Sequence, residues 1–166
     1  KLDKAKKRLT LAQATNALAE SGTDADIRTV KSLIEANGFV WALNRRTRST
    51  NEIGSIRALM KSWRALGNDE FSRMLVLLRC TWGGNPDSLT SFIFSGMTIF
   101  LKAYGAEIDD RLFIRQLSKV EPDEIVRRGK LDFSTTNNGL RYARVILEKY
   151  NNQRKNAKKL PYRFAD

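Results

Sequence analysis

Histidine is absent from the 166-residue sequence, and cysteine occurs once, at Cys80. A lone thiol cannot form a disulfide within the chain, so a reducing, intracellular setting is the expectation. The nitrogen and sulfur ligands of a zinc site cannot be assembled from one cysteine and no histidine. General acid–base chemistry through imidazole, and Ser-His triads, are excluded by the same absence. No apolar run reaches the roughly 20 residues that span a bilayer. The nearest, "LTSFIFSGMTIFLKAYG", is broken by Ser, Gly and Thr and reads as a buried helix. The start, "KLDKAKKRL", is basic but lacks the apolar core of a signal peptide. It also lacks an initiating Met, as a trimmed or excised piece of a longer protein would. Acid is scarce as well, with 18 Asp and Glu against 30 Lys and Arg and a net charge of +12. That imbalance costs self-repulsion in the folded state and fits a polyanionic partner, nucleic acid first and an anionic membrane surface second. An inert basic domain is the plainer alternative.

What is present is helical periodicity in a chain whose 42% hydrophobic content suffices for one domain with a real core. Thr10 caps a helix over "LAQATNALAESG" that Gly22 ends, and Thr23 caps the next, which stops at Gly38. The period then changes. "FVWAL" and "NEIGSI" flank "NRRTRST" and read as a small β-hairpin near 39–54 with a basic tip. From Ser55 to Gly67, Ile56, Leu59, Met60, Trp63 and Leu66 form an apolar stripe, with Arg57, Lys61 and Arg64 opposite. Full burial is expected of Trp63. Asn68 caps a further helix, and Asp87–Tyr104 is apolar on most of its circumference and should be the central one. Helices from Asp109, from Pro122 and from about Leu140 complete a compact, mainly α bundle of about seven helices, with the hairpin after the second. This helical domain should occupy 1–150, followed by a loosely ordered basic tail over 151–166. No internal repeat or heptad run is present.

Three arginines, Arg45, Arg46 and Arg48, crowd the hairpin tip without an acid. Guanidinium groups pair bidentately with phosphate oxygens, and Thr47, Ser49 and Thr50 can add hydroxyl donors. Arg57, Lys61 and Arg64 follow a few residues later and could share that face, although a charged row opposite an apolar stripe also suits any surface helix. The tail (Arg154, Lys155, Lys158, Lys159 and Arg163) and the start (Lys4, Lys6, Lys7 and Arg8) read either as backbone-binding or as solubilising. Trp41 and Tyr162 could stack on bases, with core packing as the other use. Glu107, Asp109 and Asp110, like Glu121, Asp123 and Glu124, sit at helix starts, where capping explains them without a metal. Gly83-Gly84 lacks the Lys-Ser/Thr of a phosphate loop. No cofactor or metal is expected.

Read together, "KKRLTLAQATNAL", "IRTVKSLIEANGF", "GSIRALMKSWRALGNDEFSRMLVLLRCTWGGNPDSL", "FSGMTIFLKAYG", "IDDRLFIRQLSKVEPDEI" and "ARVILEKYNNQ" resemble the helical region that follows the nuclease-like fold in ParB-like proteins of phages, plasmids and actinobacteria. The resemblance spans nearly the whole chain but rests on packing and turn features. It implies a module C-terminal to a ParB-like domain in a protein that handles phage or plasmid DNA, nucleoid-associated in the cytoplasm of a bacterial or phage-infected cell. The Gly-Glu-Arg-Arg type motif of the ParB-like fold does not occur here, so nucleotide hydrolysis would belong to an N-terminal part.

The expectation is therefore a non-enzymatic nucleic-acid-binding domain that contacts the backbone of duplex DNA through Arg45, Arg46, Arg48, Arg57, Lys61 and Arg64, with no membrane partner. The alternative is a protein-interaction or self-association module, such as a phage factor against host machinery, whose basic surface meets an acidic partner. A nuclease built on the acidic clusters is the third reading, and metal-dependent cleavage would reveal it.

Overall fold

The computed structural model describes residues 25–42, 49–134 and 137–164. The helix expected from Thr10, the Thr23 cap, the basic start and Arg45, Arg46 and Arg48 lie outside the described residues. Within them run six α-helices, two 3-10 turns and a two-stranded sheet, so the architecture is mainly α.

Helix α1 (Ala25–Ala36) buries Ile27, Val30 and Ile34. It ends in a Schellman motif: the Gly38 N–H donates to Glu35 C=O at 3.0 Å and the Phe39 N–H to Ile34 C=O at 3.1 Å. The chain passes directly into β1 (Val40–Trp41), which pairs with β2 (Glu52–Ile53). The pairing is parallel, Val40 beside Glu52 and Trp41 beside Ile53, which corrects the expected antiparallel hairpin. The cause is a turn just before β2. Glu52 N–H donates to Ser49 C=O at 3.1 Å, and Ser49 N–H donates to the Glu52 carboxylate at 2.9 Å. Asn51 adopts φ 67° there, and its N–H donates to Gly84 C=O at 2.8 Å. The chain leaves this turn into β2 pointing the same way as β1.

Helix α2 (Ile56–Trp82) is two limbs joined at Gly67, whose φ of 80° and ψ of 175° are not helical. The sequence pattern separates two helices at Gly67, and the backbone leaves helical geometry at that residue. The Trp63 indole N–H reaches over the kink to Asn68 Oδ1 at 2.7 Å. Trp63 is consequently only half-buried, packed against the rim of the core, and not fully enclosed as its stripe implies. The kink lets both limbs meet one residue of the next helix. Thr98 Oγ1 lies 2.6 Å from Ser62 Oγ and 3.9 Å from Met74 Sδ. In a straight helix Ser62 and Met74 would be about 18 Å apart.

Helix α3 (Ser91–Tyr104) begins later than expected, because Thr90 is extended and separates it from a 3-10 turn at Pro86–Ser88. Its buried Ile93, Phe94, Met97, Phe100, Leu101 and Tyr104 occupy the centre of the core. After α4 (Asp110–Leu117) and α5 (Pro122–Asp132), α6 (Asn138–Asn151) packs along α3. The close approach needs Gly96: a Cβ there would stand 2.8 Å from the Tyr142 Cβ.

Residues 160–164 return onto this core, contrary to the expected loose tail, while 155–159 stay exposed. Asn151 exchanges two hydrogen bonds with the Leu160 backbone, at 2.9 and 3.0 Å. The Tyr104 hydroxyl donates to Pro161 C=O at 2.6 Å and accepts from the Arg163 N–H at 2.8 Å. Phe164 is buried edge-on to Tyr104, with centroids 5.3 Å apart. A hydroxyl this deep in the core requires partners, and the returning backbone supplies them. Among the described residues, no helix is long and apolar enough to cross a membrane.

Candidate nucleic-acid interface

The first limb of α2 turns Ile56, Leu59 and Met60 inward, which leaves Arg57, Lys61 and Arg64 exposed. Their spacing places them in one row about 10 Å long, at about 1.5 Å per residue. The small Ala58 and Ala65 on the neighbouring flank leave space between this limb and α3. The result is a groove of about 480 Å³, into which α3 contributes Ser95, Thr98, Ile99 and Lys102, and the start of α6 contributes Asn137 and Gly139. Lys61 lines one wall and Lys102 the other, and among the described residues no carboxylate lines the groove. The Ser62–Thr98 hydrogen bond lies at its floor, with Thr98 Oγ1 also donating to Phe94 C=O at 2.7 Å.

Four arginines elsewhere are committed to acids. Arg73 donates to Asp110 at 2.7 Å and to Gly105 C=O at 2.5 Å, and it pairs with Glu70 at 3.3 Å. The hydrogen bond to Asp110 is the main cause raising the Arg73 pKa, against opposing desolvation. Arg128 joins Asp132 and Glu148 at 2.8 and 3.0 Å, Arg127 faces Glu124 at 3.7 Å, and Arg163 binds Glu107. Among the described residues, no carboxylate engages Arg57, Lys61, Arg64 or Lys102.

The sequence-predicted residues divide accordingly. Arg57, Lys61 and Arg64 share an exposed row; Arg45, Arg46 and Arg48 lie outside the described residues. Lys102 is the residue that sequence reasoning misses. Its signal is present: Ser95, Thr98 and Lys102 form a polar strip at helical spacing through an otherwise apolar helix. Trp41 packs against the core, whereas Tyr162 is half exposed. Four of the six acidic residues have local partners: Asp109 caps α4 through the Leu112 N–H at 3.0 Å, and Asp110, Glu107 and Glu124 sit in the ion pairs just described, whereas Glu121 at the start of α5 makes no side-chain cap bond. Among the described residues, no three His, Cys, Asp or Glu side chains cluster as metal ligands would.

Among the described residues the groove offers cations on two walls, hydroxyls between them and no acid, which suits an anionic oxygen-rich ligand such as a phosphodiester. A family of unknown function, DUF6551, matches the chain over residues 9–164. No curated protein and no solved structure matches it.

Proposed function

The chain belongs to the DUF6551 family, and we propose that it binds nucleic acid, duplex DNA in the first instance, through the phosphate backbone and without chemistry of its own. The observation that carries this reading is the row of Arg57, Lys61 and Arg64 beside a groove that Lys102 closes from α3 and that no carboxylate lines among the described residues. On a chain of net charge +12, whose other arginines include several held in ion pairs, this concentration of uncommitted cations supports a polyanionic partner. Arg45, Arg46 and Arg48 would add further backbone contacts. The reading rests on net positive charge and not on a base-reading motif, so binding should be little dependent on sequence. The resemblance to the region behind ParB-like domains supplies the setting: a DNA-handling protein at the nucleoid of a bacterial or phage-infected cell.

Affinity for random duplex should lie roughly in the 10⁻⁴–10⁻⁶ M range at physiological salt. In a salt titration, replacing Arg57, Lys61 and Arg64 together by Ala should flatten log affinity against log salt by about 0.9 for each phosphate no longer neutralised. An unchanged slope in a folded triple variant would remove the proposal for this row. Intact DNA binding with loss of an acidic protein partner would transfer the surface to protein recognition.

A further inference from the structure

A second cleft, formed by the end of α5, the outer face of α6 and the returning tail, carries features that backbone binding does not use. It has a volume of about 490 Å³ and is lined mostly by apolar atoms, with Phe133, Leu147, Leu160 and Tyr162 among its walls. That size falls within the roughly 300–1,000 Å³ of small-ligand sites. The Arg144 guanidinium lies 5.4 Å from the Phe133 ring centre and 5.5 Å from that of Tyr162, and its Nε–H donates to the Tyr162 hydroxyl at 2.7 Å. Flat groups already associate at this point.

Tyr162 is 51% exposed, yet its backbone is pinned on both sides. Pro161 and Arg163 are held by the Tyr104 hydroxyl and Phe164 is buried, so the fold presents this ring to solvent at a fixed place. Beside it, residues 152–159 form a lobe closed at its neck by the Asn151–Leu160 bonds. The lobe carries Arg154, Lys155, Lys158 and Lys159, and no acid occurs anywhere from Lys149 to Ala165. Glu148, which borders the cleft, is engaged by Arg128.

A presented aromatic ring, a planar cation and a basic lobe are the parts that single-stranded nucleic acid uses: bases stack while phosphates follow positive charge. We infer that this cleft takes one unpaired nucleobase of a strand whose phosphates lie along the 152–159 lobe. Bases inside a duplex are stacked and out of reach, so the occupant is a single strand or a flipped-out base. The Asn151 amide is held by two bonds to Leu160, and stacking engages the face that every base has, so all four bases should be accepted. This rests on the nucleic-acid reading above but uses a different surface.

The experiment is fluorescence anisotropy with a short oligothymidylate, an abasic phosphodiester strand of the same length, and a duplex. Each is titrated with the full chain, with Tyr162→Ala and with Tyr162→Phe. The wild type should prefer oligothymidylate to the abasic strand by roughly 5- to 150-fold, the range of one stacked base. Tyr162→Ala should erase that preference and leave duplex affinity unmoved. Tyr162→Phe keeps the ring without the hydroxyl bonded to Arg144, and should retain the preference; its loss there would make Tyr162 a structural anchor and overturn the inference. Equal binding of the abasic strand and oligothymidylate by the wild type would overturn it too, while duplex binding kept the backbone reading alive. Binding to none of the three probes would end both. Capture of an acidic aromatic peptide in place of the oligonucleotide, lost in Tyr162→Ala, would assign the cleft to a protein partner and overturn it.

Discussion

Tyr104 shows how much can depend on one hydroxyl. It is fully buried on α3, and its hydroxyl bonds to a backbone 57 and 59 residues further along, at Pro161 C=O and the Arg163 N–H. Tyr104→Phe keeps the ring against Phe100 and Phe164 but deletes both bonds. The expected loss is about 1–3 kcal/mol, read from urea unfolding, because a buried N–H and C=O lose their partner. Burial also raises the Tyr104 pKa above its ordinary value, opposed in part by Arg163. The folded state therefore favours the neutral phenol, while in the unfolded chain it titrates near its usual pKa of about 10. This contribution is complete below that value and declines as pH rises through the higher folded pKa. The stability gap between wild type and Tyr104→Phe should accordingly narrow in alkali; a gap constant with pH would contradict the role given to the hydroxyl.

At the scale of elements, the kink in α2 has a backbone cause. Gly67 sits at φ 80° and ψ 175°, a conformation essentially reserved for glycine, and nothing lies within 4 Å of where a Cβ would be. Gly67→Ala would thus suffer no clash, only strain, of order 1–3 kcal/mol, and thermal melts should show the loss. Trp63→Ala should cost less than the roughly 3–5 kcal/mol of a fully buried Trp, since its indole bridges the kink from a half-exposed position. The apolar stripe of the first limb is legible in the sequence because 3.6-residue spacing sorts Leu59 from Lys61 without knowledge of any partner. Gly67 is legible as an interruption. Strand direction is not: each strand is two residues long, and the Ser49–Glu52 turn, not side-chain alternation, decides it. Lys102 is hidden because its helix is defined by apolar burial and the groove beside it exists only once α2 and α3 are packed. The tail is hidden for a similar reason, since Tyr104 bonds to main-chain atoms that any sequence would provide.

Across the whole molecule, the charge is uneven. Arg73, Arg127, Arg128 and Arg163 are tied to acids, whereas the α2–α3 groove and the 152–159 lobe hold cations that no carboxylate engages among the described residues. If both features bind one polyanion, removing Arg57, Lys61 and Arg64 and removing Lys155, Lys158 and Lys159 should reduce the salt slope for single strands additively, as independent sites do. A double set no worse than either alone would mean that only one feature is used. The attachment of residues 161–164 to Tyr104 has one more consequence, in kinetic terms. Closing a loop of 57 residues demands entropy before its contacts return anything, so this attachment should form after the helices have docked. Contacts absent from the folding transition state act on escape from the native state. Tyr104→Phe should therefore leave the refolding limb of a chevron plot in place and raise the unfolding limb, which makes the returning tail a brake on unfolding and not a guide to folding.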